Sequence, residues 1–303
     1  MEHISKIIDG IIHEKVTPIN TGIECLDKTI RGYYPGEVTT VIGEGNSCKT
    51  AFVVHQVCHI AIDQKLPTLV LLEDTCERVF LLSLIAYYCS IESEDLHDIQ
   101  GSEAYKEAVA EFLGKLKESP LYIMKACWYD KQENVDLIGE FIDTMGIKIL
   151  FFDEVYYRLL QDTTADFCSI GSLAIRKNIP VVVTCYIWNE REGFGITPWL
   201  KDIGSRADMH NPDVAIGFTN YEQIHIFTDE KGNNLRGMIG IEILKHRGKI
   251  KNKSYYLHRD ILFYRNFKQS RLQTLQDMGP SCNSAFDKLI HELDLTIEEG
   301  KPS

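Results

Sequence analysis

The chain has no apolar run long enough to cross a bilayer, and its opening residues, Met1-Glu2-His3-Ile4-Ser5-Lys6, lack a signal-peptide pattern. These absences exclude a membrane-spanning role and predict a cytoplasmic protein with no membrane partner. Paired metal-ligand spacing is missing as well, because the nine cysteines are scattered along 303 residues. Cys58, Cys89 and Cys185 sit inside apolar runs and read as buried reduced thiols, which fits a reducing cytosol. No internal repeat and no low-complexity segment is found. Positive charge is in deficit, with 32 Lys and Arg against 44 Asp and Glu and a net charge of -12. That argues against a protein that coats nucleic acid with its whole surface. A local basic channel is still allowed, since screening confines each charge to a Debye length of about 10 Å.

What is present suits a globular protein with one large core, or one core plus small appendages. Ile4, Ile7, Ile8, Ile11 and Ile12 share one face of an expected helix over 2–14, ended by Thr17-Pro18. That face packs either on the chain's own core or, as an arm, on a neighbouring subunit. Apolar runs then alternate with amphipathic stretches. Strands are predicted at Val38–Ile42, Thr68–Leu72, Leu121–Met124, Lys148–Phe152 and Ile179–Thr184. Helices are predicted over 50–62, 77–89, 103–117, 133–145 and 166–177. Short, continuous apolar strands are what a parallel sheet covered on both faces requires. After residue 210 short strands are expected at Val214–Phe218, Gln223–Phe227, Met238–Leu244, Ser254–His258 and Ile261–Tyr264, antiparallel and added to the sheet edge. An amphipathic helix near 284–296 is predicted in the tail.

Four stretches carry chemistry. Gly43-Glu44-Gly45-Asn46-Ser47-Cys48-Lys49-Thr50 follows a strand and opens a helix, the setting of a phosphate-binding loop. Backbone N–H groups would cradle phosphates, Lys49 would neutralise the outer ones, and Thr50 would hold Mg²⁺. Lys148–Phe152 ends in Asp153-Glu154, and Asp153 stands where such ATPases place the carboxylate that orients the magnesium shell. A strand also ends at Glu73-Asp74, where a carboxylate could polarise an attacking water. Lys245–Lys253 is the dense basic run. It is a solvated hairpin, a grip on nucleic-acid phosphates, or the source of an arginine finger for a neighbour.

Taken in order, these stretches resemble the motor domain of DnaB-type replicative helicases, within the RecA-like hexameric ATPases. Thr21-Gly22 with Leu26-Asp27, then Arg31-Gly32-Tyr33-Tyr34-Pro35-Gly36-Glu37, is similar to the family's approach to its first strand. Lys49-Thr50-Ala51-Phe52 matches its GKTAF. Leu200–Ser205 with Asp213, and Lys245-His246-Arg247-Gly248, resemble two further family stretches. The likeness covers about residues 15–267. It implies a RecA-like P-loop fold: a mostly parallel sheet with helices on both faces and antiparallel strands at the C-terminal edge. It also implies a linker-type helix over 1–17, an ATPase domain over 18–268 and a tail over 269–303. Functionally it implies ATP and Mg²⁺ as ligands, Glu73 as general base, Asp153 on the metal, and Lys245 and Arg247 reaching the adjacent subunit's nucleotide. The partners implied are further copies of the chain in a ring, expected as a hexamer, and single-stranded DNA. Loop residues 190–201, with Arg191, and the run near Lys249 are the candidate DNA contacts.

Three departures from the family pattern matter. Cys48 replaces the glycine before the lysine, Tyr186 stands in place of a sensor glutamine, and the family's helical N-terminal domain has no counterpart, as in a shortened paralogue. Two readings follow: a DNA-helicase motor that hydrolyses ATP, or a ring-forming scaffold or regulator of replication or recombination with weakened catalysis. The backbone at Cys48 discriminates between them. A left-handed conformation would strain the site and favour the scaffold; a helical one would favour the motor.

Overall fold

The computed structural model describes residues 4, 16–92, 103–125, 131–155, 166–187, 197–203, 212–265 and 273–274. Most of the isoleucine-rich segment, loop residues 190–196 and the tail helix expected near 284–296 lie outside the described residues.

Six strands run parallel: β1 (Val38–Gly43), β2 (Thr68–Leu72), β3 (Leu121–Lys125), β4 (Ile149–Val155), β5 (Val181–Tyr186) and β6 (Val214–Asn220). β7 (Met238–His246), β8 (Lys249–His258) and the two-residue β9 (Gln273–Thr274) continue the sheet antiparallel. The order is β3-β2-β4-β5-β1-β6-β7-β8-β9. This is the RecA-like P-loop arrangement that the resemblance implies.

Burial on both faces explains the uninterrupted apolar strands. Along β4, Ile149 and Phe151 belong to one core, while Leu150 and Phe152 belong to the other. The first core takes side chains from α1 (Glu24–Ile30), α2 (Lys49–Val57), α3 (Glu77–Cys89) and α4 (Glu103–Lys117). The second is covered by α5 (Lys131–Met145) and α6 (Asp166–Lys177). A π-helical turn, Cys58–Asp63, extends α2. The strand order reverses at β1, whose successor β2 lies two strands beyond β5 while β6 flanks its other side. In parallel sheets the crevice at the carboxyl ends beside such a point receives the ligand.

Two expected strands are absent. Gln223–His225 is turn and Ile226-Phe227 irregular, with His225 left-handed at φ 57° and Ile226 N–H bonded back to Tyr221 O at 2.9 Å. Ile261–Phe263 belongs to α7 (Asp260–Phe263), a single helical turn closed by the N–H of the extended Tyr264 on Asp260 O at 2.8 Å. Periodicity cannot separate strand from helix in runs this short; packing decides. Ile261 and Leu262 enter the first core from one helical turn. Cys58 and Cys185 are buried free thiols as expected, whereas Cys89 is half-buried.

Candidate functional site

β1 feeds the chain into the loop Gly43–Cys48, and α2 opens at Lys49. The turn is tight at its first glycine. A β-carbon on Gly43 would collide with Ser47 Oγ and stand 2.8 Å from Phe218 O. Asn46 and Cys48 are both left-handed, at φ 57° and 71°. Of the two backbone conformations weighed for Cys48, the strained one is adopted.

The reversal folds Lys49 back into its own loop. Its Nζ donates to Gly43 O at 3.0 Å, Glu44 O at 2.9 Å and Ser47 Oγ at 3.4 Å. It also pairs with Glu154 Oε1 at 3.2 Å and stands 5.5 Å from the ring centroid of Tyr186. Only 4% of Lys49 is exposed, so these contacts are made away from solvent.

Next to Lys49, Thr50 Oγ1 donates to Asp153 Oδ1 at 3.2 Å, and Thr184 Oγ1 donates to the same oxygen at 3.2 Å. Burial, reinforced by the neighbouring Glu154 charge, pushes the Asp153 carboxyl up to about 7. Asp153 Oδ2 is buried without a hydrogen-bond partner. A bare acceptor beside a threonine hydroxyl fits a water of a magnesium shell, because Mg²⁺ keeps several waters and few protein ligands. The residues present therefore suit the metal. Glu73 follows β2, its N–H bonded to Asp153 O at 3.3 Å and its carboxylate half-buried.

A cavity of about 620 Å³ opens over the loop, between α2, α3 and α7. Beyond Asn46 to Thr50 its wall includes Glu154, Tyr87, Arg259, Phe263 and Tyr264. Asn220, at the end of β6, donates to Asn46 O at 3.1 Å and so ties the loop to the sheet.

Lys245 and Arg247 are not brought to this cavity. Strand β7 pairs with β6 so that His246 faces Val214, the first residue of β6. The β7–β8 turn therefore sits at the amino ends of the parallel strands, roughly 15–20 Å from the loop by the strand rise. There Arg247 donates to Glu37 Oε1 at 2.7 Å, Ile30 O at 2.7 Å and Gly32 O at 3.4 Å, and its guanidinium lies 4.3 Å from the Tyr34 ring centroid. Lys245 is half-buried, and burial lowers its pKa.

Sequence reasoning assigned no role to Glu154, Thr184 or Arg259. The Asp153-Glu154 pair was a visible signal for the first. Thr184 and Arg259 carry none, since only folding brings them to the loop.

Comparison with known proteins places the chain in a family and a fold. A family model for the DnaB-like helicase C-terminal domain matches residues 18–182. The replicative DNA helicase DnaB of Treponema pallidum (strain Nichols) is 25% identical over 216 residues, 65% of this chain and 47% of that protein. The chain thus spans about half the length of the curated relative it matches. Among solved structures, a DnaB-like replicative helicase described with its interactions with primase aligns at TM-score 0.67 and 15% identity, over 83% of this chain and 63% of the other. A second solved structure, that of an ATPase domain, aligns at TM-score 0.67 and 15% identity, over 86% of this chain and 95% of the other.

Proposed function

The chain belongs to the DnaB-like helicase C-terminal domain family, and on that premise we propose that it binds Mg²⁺-ATP at Gly43–Thr50 and hydrolyses it slowly, as a ring motor on single-stranded DNA. The observation that carries the reading is the Thr50–Asp153 contact beside a buried Lys49, which unites loop and acid across 103 residues of sequence. Lys49 would neutralise the outer phosphates, while Thr50 and Asp153 would hold the metal through oxygen and water. The bound metal would offset charge developing on the phosphates. Glu73, next to Asp153 O through its own N–H, would accept the proton of the attacking water. Arg247 and Lys245, at the opposite end of the sheet, are too far to serve their own site. Their place suits action on a neighbour's nucleotide.

A second reading, a nucleotide-binding scaffold with weakened catalysis, is favoured by one observation: the left-handed Cys48. Steady-state ATP turnover of the purified protein, with and without single-stranded DNA, separates the two. DNA-stimulated turnover supports the motor, and binding without turnover supports the scaffold. Lys49→Ala is expected to abolish nucleotide binding in calorimetry. Absence of wild-type affinity for any Mg²⁺-nucleoside triphosphate would sink both.

A further inference from the structure

Glu154 has no part in the roles above, yet it is the acid that pairs with Lys49. In a regular strand, Asp153 and Glu154 would point to opposite faces of the sheet. Here Glu154 is left-handed, at φ 62°, and the β4–β5 register slips between Phe152 and Val155. The kink turns both carboxylates toward the start of α2: Asp153 meets Thr50, and Glu154 meets Lys49 at 3.2 Å. It is held from the neighbouring strand, because Glu154 N–H donates to Thr184 Oγ1 at 2.7 Å. A non-glycine residue kept in this conformation by its surroundings is strained, and such residues cluster at functional sites.

Among the described residues the ammonium of Lys49 donates to Gly43 O, Glu44 O and Ser47 Oγ and forms an ion pair with Glu154 Oε1, so four oxygens surround it. Three of these belong to the loop itself. Among the described residues Glu154 is the charged partner of Lys49, and it lines the cavity with 21% of its side chain exposed. Lys49 and Glu154 line the same cavity, so phosphates that reach Lys49 there bring their charge against the Glu154 carboxylate, and anions that close repel each other in a site shielded from solvent.

We propose that Glu154 is a positioning residue that holds Lys49 in place of the outer phosphates, so that a nucleoside triphosphate must displace its carboxylate in order to bind. The proposal rests on the nucleotide reading above. It makes Glu154 a selective brake on affinity, felt by ligands whose phosphates reach Lys49 and not by shorter ones. Removing the carboxylate leaves Lys49 its three loop acceptors, so the loop has no reason to collapse.

Calorimetric titration of the full chain with Mg²⁺ and a non-hydrolysable ATP analogue, alongside AMP as competitor, tests this. Glu154→Gln is expected to bind the triphosphate more tightly than wild type by about tenfold or more, the low end of what a close, largely buried charge pair contributes. Glu154→Ala should shift affinity in the same direction, and neither should tighten AMP. A gain in affinity is a result that mere structural damage does not produce. Wild-type binding with no gain in either variant overturns the proposal alone, and so does an equal gain for AMP. Absence of binding by wild type and variants alike overturns the nucleotide reading together with it.

Discussion

Cys48 and Asp153 each respond to their surroundings in a way that a measurement can read. At φ 71° the β-carbon of Cys48 costs roughly 1–2 kcal/mol relative to glycine. Because that cost is present before any ligand arrives, Cys48→Gly is expected to raise folding stability by about the same amount, read as a higher melting temperature; a lower melting temperature would mean that the cysteine is part of the site's design. Burial pushes the Cys48 thiol up to about 11, so it is protonated at neutral pH and a poor nucleophile. Alkylation by iodoacetamide should then be slow at pH 7 and accelerate about tenfold per pH unit, which makes quick thiol inhibition a poor probe of this loop. Asp153 works in the opposite pH range. Its folded pKa is raised, so between about pH 4 and 7 the folded state binds more protons than the unfolded one, and this group's contribution to stability falls as pH rises. Metal needs the carboxylate, so Mg²⁺-nucleotide affinity should climb between about pH 6 and 8, with proton release visible as buffer-dependent binding heat. Affinity flat across that window would contradict the assignment of Asp153 to the metal.

The β7–β8 hairpin shows how an element constrains the residues at its tip. Asp213 Oδ2 accepts from Val38 N–H at 2.9 Å, and Asp213 O accepts from Arg247 N–H at 2.6 Å, so the turn is stitched to the start of β1. Arg247 adds its contacts to Glu37 and to the carbonyls that end α1. A role in trans requires Arg247 to leave Glu37 when a neighbour's phosphate arrives. Arg247→Ala should thus do two things: lower turnover and, by about 1–3 kcal/mol, lower stability through the lost charge-assisted bonds. Lys245→Ala should lower turnover with a smaller shift in melting temperature. Equal melting temperatures for wild type and Arg247→Ala would show that the clamp contributes nothing.

At the scale of the whole molecule, the proposed action of Lys245 and Arg247 on a neighbour's nucleotide requires assembly. The protein is expected to form a ring or filament with Mg²⁺ and nucleotide, and removing residues 1–14 should weaken it. A strictly monomeric species by light scattering, at high concentration with both ligands, counts against the motor. DNA binding should be modest and fall steeply with salt, because a chain of net charge -12 can offer only a local basic lining. Affinity for single-stranded DNA that does not change between 50 and 200 mM salt (about the range over which counterion release acts) would defeat that expectation. Among the described residues no helix is long and apolar enough to cross a membrane.

The sequence by itself determined the layered sheet and the place of the phosphate loop. Continuous apolar strands between amphipathic helices must be buried on both faces, and a strand–loop–helix with Lys49-Thr50 is a local pattern, complete within a few residues. α3 is legible to its ends, Glu77 and Cys89, for the same reason. Only the tertiary structure decided that Cys48 is left-handed, that Glu154 and not Asp153 pairs with Lys49, and that Arg247 lies against Glu37, 210 residues away. It also decided that Ile261–Phe263 coils while the sequence around it reads as strand. Those outcomes depend on which surfaces meet after the sheet closes: a kink held by a hydroxyl on the next strand, or a guanidinium resting on a helix end. No periodicity along the chain encodes such meetings, because the energy that selects them arises between residues distant in sequence and adjacent only in the fold.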